Sequence, residues 1–127
     1  MKQNEVMPSQ LSTSKIFFLI SAIINIGYAV VLSIYAAITG LFSCGIGCFL
    51  FIIPIINIVS CVMDFISYNK LNTLNQPGTY SSMQFASIMD IVTVITGNPI
   101  SMVFGIINLI YLNDERVKAF LIEKRIY

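Results

Sequence analysis

The sequence predicts an all-α polytopic membrane protein, with four transmembrane helices arranged as two helical hairpins. Three observations carry that prediction. Of 127 residues, 57% are apolar and 10% are charged, and mean hydropathy is +0.85; an ordinary soluble domain carries about 25% charged residues. The apolar residues gather into stretches separated by turn signals. One threading of those stretches through a bilayer puts all seven Lys and Arg on the same side.

Residues 1–14 are polar, with Lys2, Glu5, Pro8 and a Ser/Thr/Gln cluster at 9–14. They read as a short tail or surface helix closed by Lys15. A charge-free run follows over 16–39, reaching roughly 36 Å as a helix, enough for a hydrocarbon core of about 30 Å. Gly40 breaks it, so a tight hairpin is expected around Thr39–Gly40. The second span covers 41–66, with Asp64 as its one charge and Pro54 in the middle, where a missing backbone donor predicts a kink.

Residues 67–82 form the predicted loop, with a Pro77-Gly78 turn and Thr79 or Ser81 as a helix cap. Two short apolar pieces follow, 83–97 and 99–113, each roughly 21 Å as a helix. Gly97 suits a helix end, and Pro99 suits the first position of the next helix. The pieces are either two short spans or one broken span. With four spans, Lys2, Lys15, Lys70, Arg116, Lys118, Lys124 and Arg125 share one face. With three spans they divide between the faces. The positive-inside rule selects four spans, with both termini and the loop cytoplasmic. The tail 114–127 is strongly helical, with Val117, Phe120, Leu121 and Lys124 on one face. It is expected to extend the fourth helix into the cytoplasm or to lie along the headgroups.

Composition also narrows the chemistry. There is no His, which excludes His-based acid–base and metal chemistry. A net charge of +1 provides no nucleic-acid footprint. No phosphate loop, nucleophile–base pair or metal-ligand cluster is present, so no cofactor or metal and no enzyme is expected. A signal peptide is not expected, because the polar segment is long and the apolar run exceeds the usual 7–15 residues. Cys44 and Cys48 read as small packing residues, and Cys61 as a position near the cytoplasmic end of span two.

Small and polar residues are informative in lipid, which offers them no partner. Span one carries Ser21, Asn25, Ala29, Ser33 and Ala37 at four-residue spacing, read as one face for close helix packing or a pore lining. Span two carries Ser43 and Gly47, then Asn57, Ser60, Cys61 and Asp64. Span three carries Ser87, Asp90, Thr93 and Gly97; span four carries Ser101, Gly105 and Asn108. Such stripes describe a bundle with its polar faces turned inward. Asp90 stands out, because an intramembrane carboxylate is a functional-site hypothesis by default. Asn25, Asn57 and Asn108 are its expected partners. Asp64 is expected near the interface, satisfied by water or by Lys70.

The segment running from the Asp-bearing helix through Gly97-Asn98-Pro99 to Leu112-Asn113-Asp114-Glu115-Arg116-Val117-Lys118 resembles small, largely uncharacterised prokaryotic four-span membrane proteins. The resemblance covers about residues 80–120. It implies architecture and a bacterial-type membrane, and no activity. Two functions follow as expectations. The first is a non-enzymatic scaffold or accessory subunit in the lipid bilayer, self-associating or bound to another membrane protein. The second is a small channel, holin-like pore or transporter built on Asp90.

Overall fold

The computed structural model describes residues 6–127. Lys2 and Glu5 of the predicted polar tail lie outside the described residues. The described chain is helical, with no strand among its residues. α1 (Ser9–Phe42) is followed by a 3-10 segment, Ile46–Phe51, and α2 (Ile52–Thr73). α3 (Thr79–Val92) continues into a 3-10 turn, Thr93–Thr96; α4 (Pro99–Leu112) and α5 (Glu115–Glu123) complete the chain. α1 packs on α2 and α4, and α3 packs on α2 and α4, closing an antiparallel ring.

Two stretches, Ser9–Phe42 and Ile46–Thr73, are long and apolar enough to cross a membrane. α4, with 14 residues, falls short of that length, and so does α3 with its 14. The hairpins are therefore unequal. α1 rises about 51 Å over its 34 residues, while α4 rises about 21 Å.

Several boundaries differ from the sequence reading. α1 begins at Ser9 and runs through Gly40 to Phe42, so the first turn stands at Ser43–Gly45. It is held by Gly45 N donating to Gly40 O at 3.1 Å and Gly47 N donating to Ser43 Oγ at 2.8 Å. Gly40 stays helical and serves packing instead of ending the helix: its backbone approaches Gly47 so closely that a Cβ on Gly47 would lie 2.7 Å from Gly40 N. Pro54 follows the change from 3-10 to α-helix at Phe51–Ile52, not the middle of a regular helix. It sits in the first turn of α2, where the amide it lacks has no helical acceptor. α2 runs on to Thr73, which shortens the expected loop to 74–78.

Neither Thr79 nor Ser81 caps α3. The first amides of that helix instead meet the chain's last carbonyls: Thr79 N donates to Ile126 O at 2.8 Å and Gly78 N to Tyr127 O at 3.2 Å. The tail can do this because α5 is not an extension of α4. Asp114 breaks the helix and caps the next one, accepting from Arg116 N at 2.8 Å. The hydrogen-bonded Arg116 guanidinium beside it holds its carboxyl below the usual carboxylate range. α5 folds back across the bundle end and buries Val117, Phe120 and Leu121 against Leu11, Leu71 and Leu112. At that end Gln10 also donates to Asp114 Oδ2 at 3.0 Å.

The stripe on α1 does not stay on one face. A helix turns 100° per residue, so each four-residue step drifts about 40°. Ser21, Asn25 and Ala29 are buried, Ser33 is half-buried and Ala37 is exposed, while Ala36 takes the inward position. Cys44 and Cys48 are exposed rather than packed, and Cys61 is buried.

Candidate functional site

The inward stripes meet in one polar cluster. α1 contributes Ser21 and Asn25, α2 contributes Ser60 and Asp64, α3 contributes Asp90, the α3–α4 turn contributes Asn98, and α4 contributes Ser101. All seven side chains are fully buried. Each is placed by helix register: Ser21 and Asn25 lie one turn apart on α1, and Ser60 and Asp64 lie one turn apart on α2, so two turns of each helix face the same point.

Asp90 is the hub. Its Oδ1 accepts from Ser21 Oγ at 2.8 Å, from Ser60 Oγ at 2.8 Å and from Asn25 Nδ2 at 3.3 Å. Asn25 Nδ2 also reaches Asp64 Oδ2 at 3.3 Å and Ser60 Oγ at 3.1 Å. An amide nitrogen has two hydrogens, so Asn25 chooses among these acceptors and links the two carboxyls through one group. The other end of Asn25 is held from α4: Asn98 Nδ2 donates to its Oδ1 at 2.8 Å. Asn98 is oriented by its own helix, since its Oδ1 accepts from Ser101 N at 3.2 Å. Asp64 and Asp90 therefore flank one amide nitrogen, each with an oxygen 3.3 Å from it.

The expected site is therefore partly redrawn. Asp64 is not an interfacial group satisfied by water or Lys70. It is fully buried beside Asp90, one helix turn deeper than Ser67, and Lys70 instead donates to Ser82 Oγ at 2.8 Å and Pro77 O at 3.3 Å. Asn57 stands next to the cluster without bonding either carboxyl; it accepts from Thr96 Oγ1 at 3.3 Å and leans on Ile53 O. Asn108 is buried, but neither of its polar atoms has a hydrogen-bond partner among the described residues, so it is not a ligand of Asp90. Gly97 is a turn residue rather than a packing one. Its φ of +82° needs a residue without Cβ, and a Cβ there would meet nothing within 4 Å. Gly47 and Gly105 are the close approaches: a Cβ on Gly105 would stand 2.5 Å from Ser87 O and 2.9 Å from Asp90 Cβ.

Asn98 is the residue that sequence reasoning passed over as a turn former. Its signal was present: an Asn directly before a helix-starting Pro is a good N-cap, and capping fixes its side chain inside the fold. The turn it belongs to is bonded from within and from α1. Gly97 N donates to Val94 O at 3.0 Å, Asn98 N to Thr93 O at 3.3 Å, and Tyr28 Oη of α1 donates to Gly97 O at 3.0 Å.

Among the described residues, no group of three or more His, Cys, Asp or Glu is placed to hold a metal ion. No protein-family model, no curated protein and no solved structure matches this chain.

Proposed function

We propose that this chain is an integral membrane protein that works as a self-associating scaffold or accessory subunit, with both termini on the cytoplasmic side. In this reading the first hairpin crosses the bilayer. The second enters from the cytoplasmic side and turns back at Gly97-Asn98-Pro99 near the midplane, replacing the third and fourth full spans. The observation that carries the depth is the Tyr28 hydrogen bond to the turn. Backbone groups surrounded by lipid must be bonded within the protein, and Tyr28 supplies the donor that the Gly97 carbonyl requires. Tyr28 lies about 18 Å along α1 from Ile16, the first exposed apolar residue of that helix. The exposed apolar band of α1 continues to Phe42, so the turn stands near its middle. A half-depth hairpin still leaves the loop and tail on the same face as Lys15, in keeping with the positive-inside rule.

A cysteine at Ile95, three-quarters exposed beside the turn, tests this. In a chain whose three native cysteines are Ser, Ile95→Cys in sealed vesicles should resist membrane-impermeant maleimide from both sides. Labelling from the outer side would restore four full spans.

A half-depth second hairpin leaves the outer half of the first hairpin without a covering helix. Level with the polar cluster and extending outward from it, α1 and α2 also form an open apolar groove of about 430 Å³, floored by Ala29, Ser33 and Cys61 and walled by Ile26, Ile34 and Ile58. Small floors between bulky walls admit a second helix at close range, and a second copy of this hairpin is the occupant we assign. The sealed polar cluster favours this reading over a pore lined by Asn25, Asn57, Asp90 and Asn108. Filling the groove with Ser33→Leu should shift the dimer–monomer balance at least tenfold toward monomer in mild detergent, with helicity unchanged. A wild-type chain that runs as a monomer and gives no self-crosslink in native membranes would end the proposal.

A further inference from the structure

A scaffold has no need of two buried carboxyls, and their geometry has a chemical consequence of its own. Asp64 Oδ1 and Asp90 Oδ2 accept from no donor among the described residues, although both side chains are fully buried. Their other oxygens are occupied by Asn25, Ser21 and Ser60. An ionised carboxylate is an acceptor only. Two carboxyls that flank one amide nitrogen, each with an orphaned oxygen, can therefore bond each other only when a proton stands between them. We propose that Asp64 and Asp90 form a binding site for one shared, exchangeable proton, joining α2 to α3 across the bundle core.

The surrounding groups favour a proton over a metal cation. From α1 the site is faced by Ser21 and Asn25, from α2 by Ser60 and by the thiol of Cys61 next to Asp64, from the α3–α4 turn by Asn98, and from α4 by Ser101. None of these carries a positive charge that would let both carboxyls ionise. The hydroxyl and amide groups bonded to Asp90 point hydrogens, not lone pairs, at it. Only two carboxyl oxygens of the pair remain free, whereas hard cations require about six oxygen ligands. One proton held by the pair removes one of the two buried charges and supplies a donor where the free oxygens have none. Raising the pH removes that proton, and two carboxylates then repel each other inside the bundle. The unfolded chain, with both carboxyls ionised and apart, binds fewer protons than the folded one, so stability falls as pH rises.

The test is infrared spectroscopy of the full chain in lipid, joined to thermal unfolding over a pH series. The wild type should show the C=O band of a protonated carboxyl at neutral pH. The band should disappear on alkaline titration with release of about one proton per chain, and Tm should fall over the same pH range. Asp64→Asn places an amide donor against Asp90 and should abolish the band while keeping the fold. The double variant Asp64→Asn/Asp90→Asn should lack the band and show a flat Tm against pH. A wild type without the band at neutral pH would overturn the proposal, as would a band that persists in the double variant. Loss of the wild-type band on adding sodium at constant pH would overturn the choice of a proton and assign a cation instead. None of these readouts depends on oligomeric state, so the scaffold role and the proton site stand or fall separately.

Discussion

Asp90→Leu should cost the folded chain about 3–5 kcal/mol, the usual penalty for removing one partner from a buried charged network. Ser21, Ser60 and Asn25 would lose their common acceptor, and Asp64 would lose the carboxyl beside it. Each stranded donor would stay buried where neither water nor lipid can bond it. Against a total stability of about 5–15 kcal/mol, this is a large fraction of what holds the bundle together. Asp90→Asn keeps the volume and an acceptor oxygen and should lose less than about 2 kcal/mol, because its carbonyl replaces Oδ1. Unfolding in mixed micelles of increasing denaturing detergent separates the two variants. Equal losses for Leu and Asn would mean that Asp90 acts through volume alone.

Gly105→Leu should be nearly as damaging, by about 3 kcal/mol, at the upper end of overpacking costs. The Cβ would press on the Ser87 carbonyl at 2.5 Å and on Asp90 Cβ at 2.9 Å, and the first of these is backbone. α4 would have to move away from α3, taking Asn98 and Ser101 with it and pulling Asn98 from Asn25. The damage should therefore appear in the polar cluster as well as in the packing. Gly27 provides the internal control. It is exposed and a Cβ there meets nothing within 4 Å, so Gly27→Leu should leave stability unchanged or raise it through helix propensity. Matched thermal melts of the two glycine variants check this, and similar losses in both would show that the α3–α4 approach is not specially constrained.

The inward polar faces were legible because helix periodicity places Ser21 with Asn25, and Ser60 with Asp64, without knowledge of any partner. Asp90 was legible because a carboxyl inside an apolar helix must find its hydrogen-bond partners within the protein. The environment of Asp64 was not. Its nearness in sequence to Lys70 suggested a surface pair, but α2 continues as helix past Lys70 to Thr73, which puts Lys70 well beyond Asp64 and gives it Ser82 as a partner. The pairing of Asn25 with Asn98 joins residues far apart in the chain, and no local signal reports that. Asn108 failed in the opposite direction: the periodicity gave its face correctly, but nothing in the sequence showed that its amide would find no bond.

The drift of the α1 stripe has the same origin. Four-residue spacing looks like a face on paper, but over four turns it rotates away from one, and only a neighbouring helix decides where it leaves the core.

By itself, the sequence determined the helical class, the two long apolar helices, the inward polar faces and the exceptional position of Asp90. All of these follow from local quantities: hydropathy, the 3.6-residue period, and the cost of a polar group without a partner. Only the tertiary structure decided that the tail folds back to cap α3 and that Asp64 stands beside Asp90. Those depend on the relative height and rotation of helices. They are set by close approaches such as Gly105 on Ser87 and by hydrogen bonds between residues distant in the chain, which no single stretch of sequence encodes.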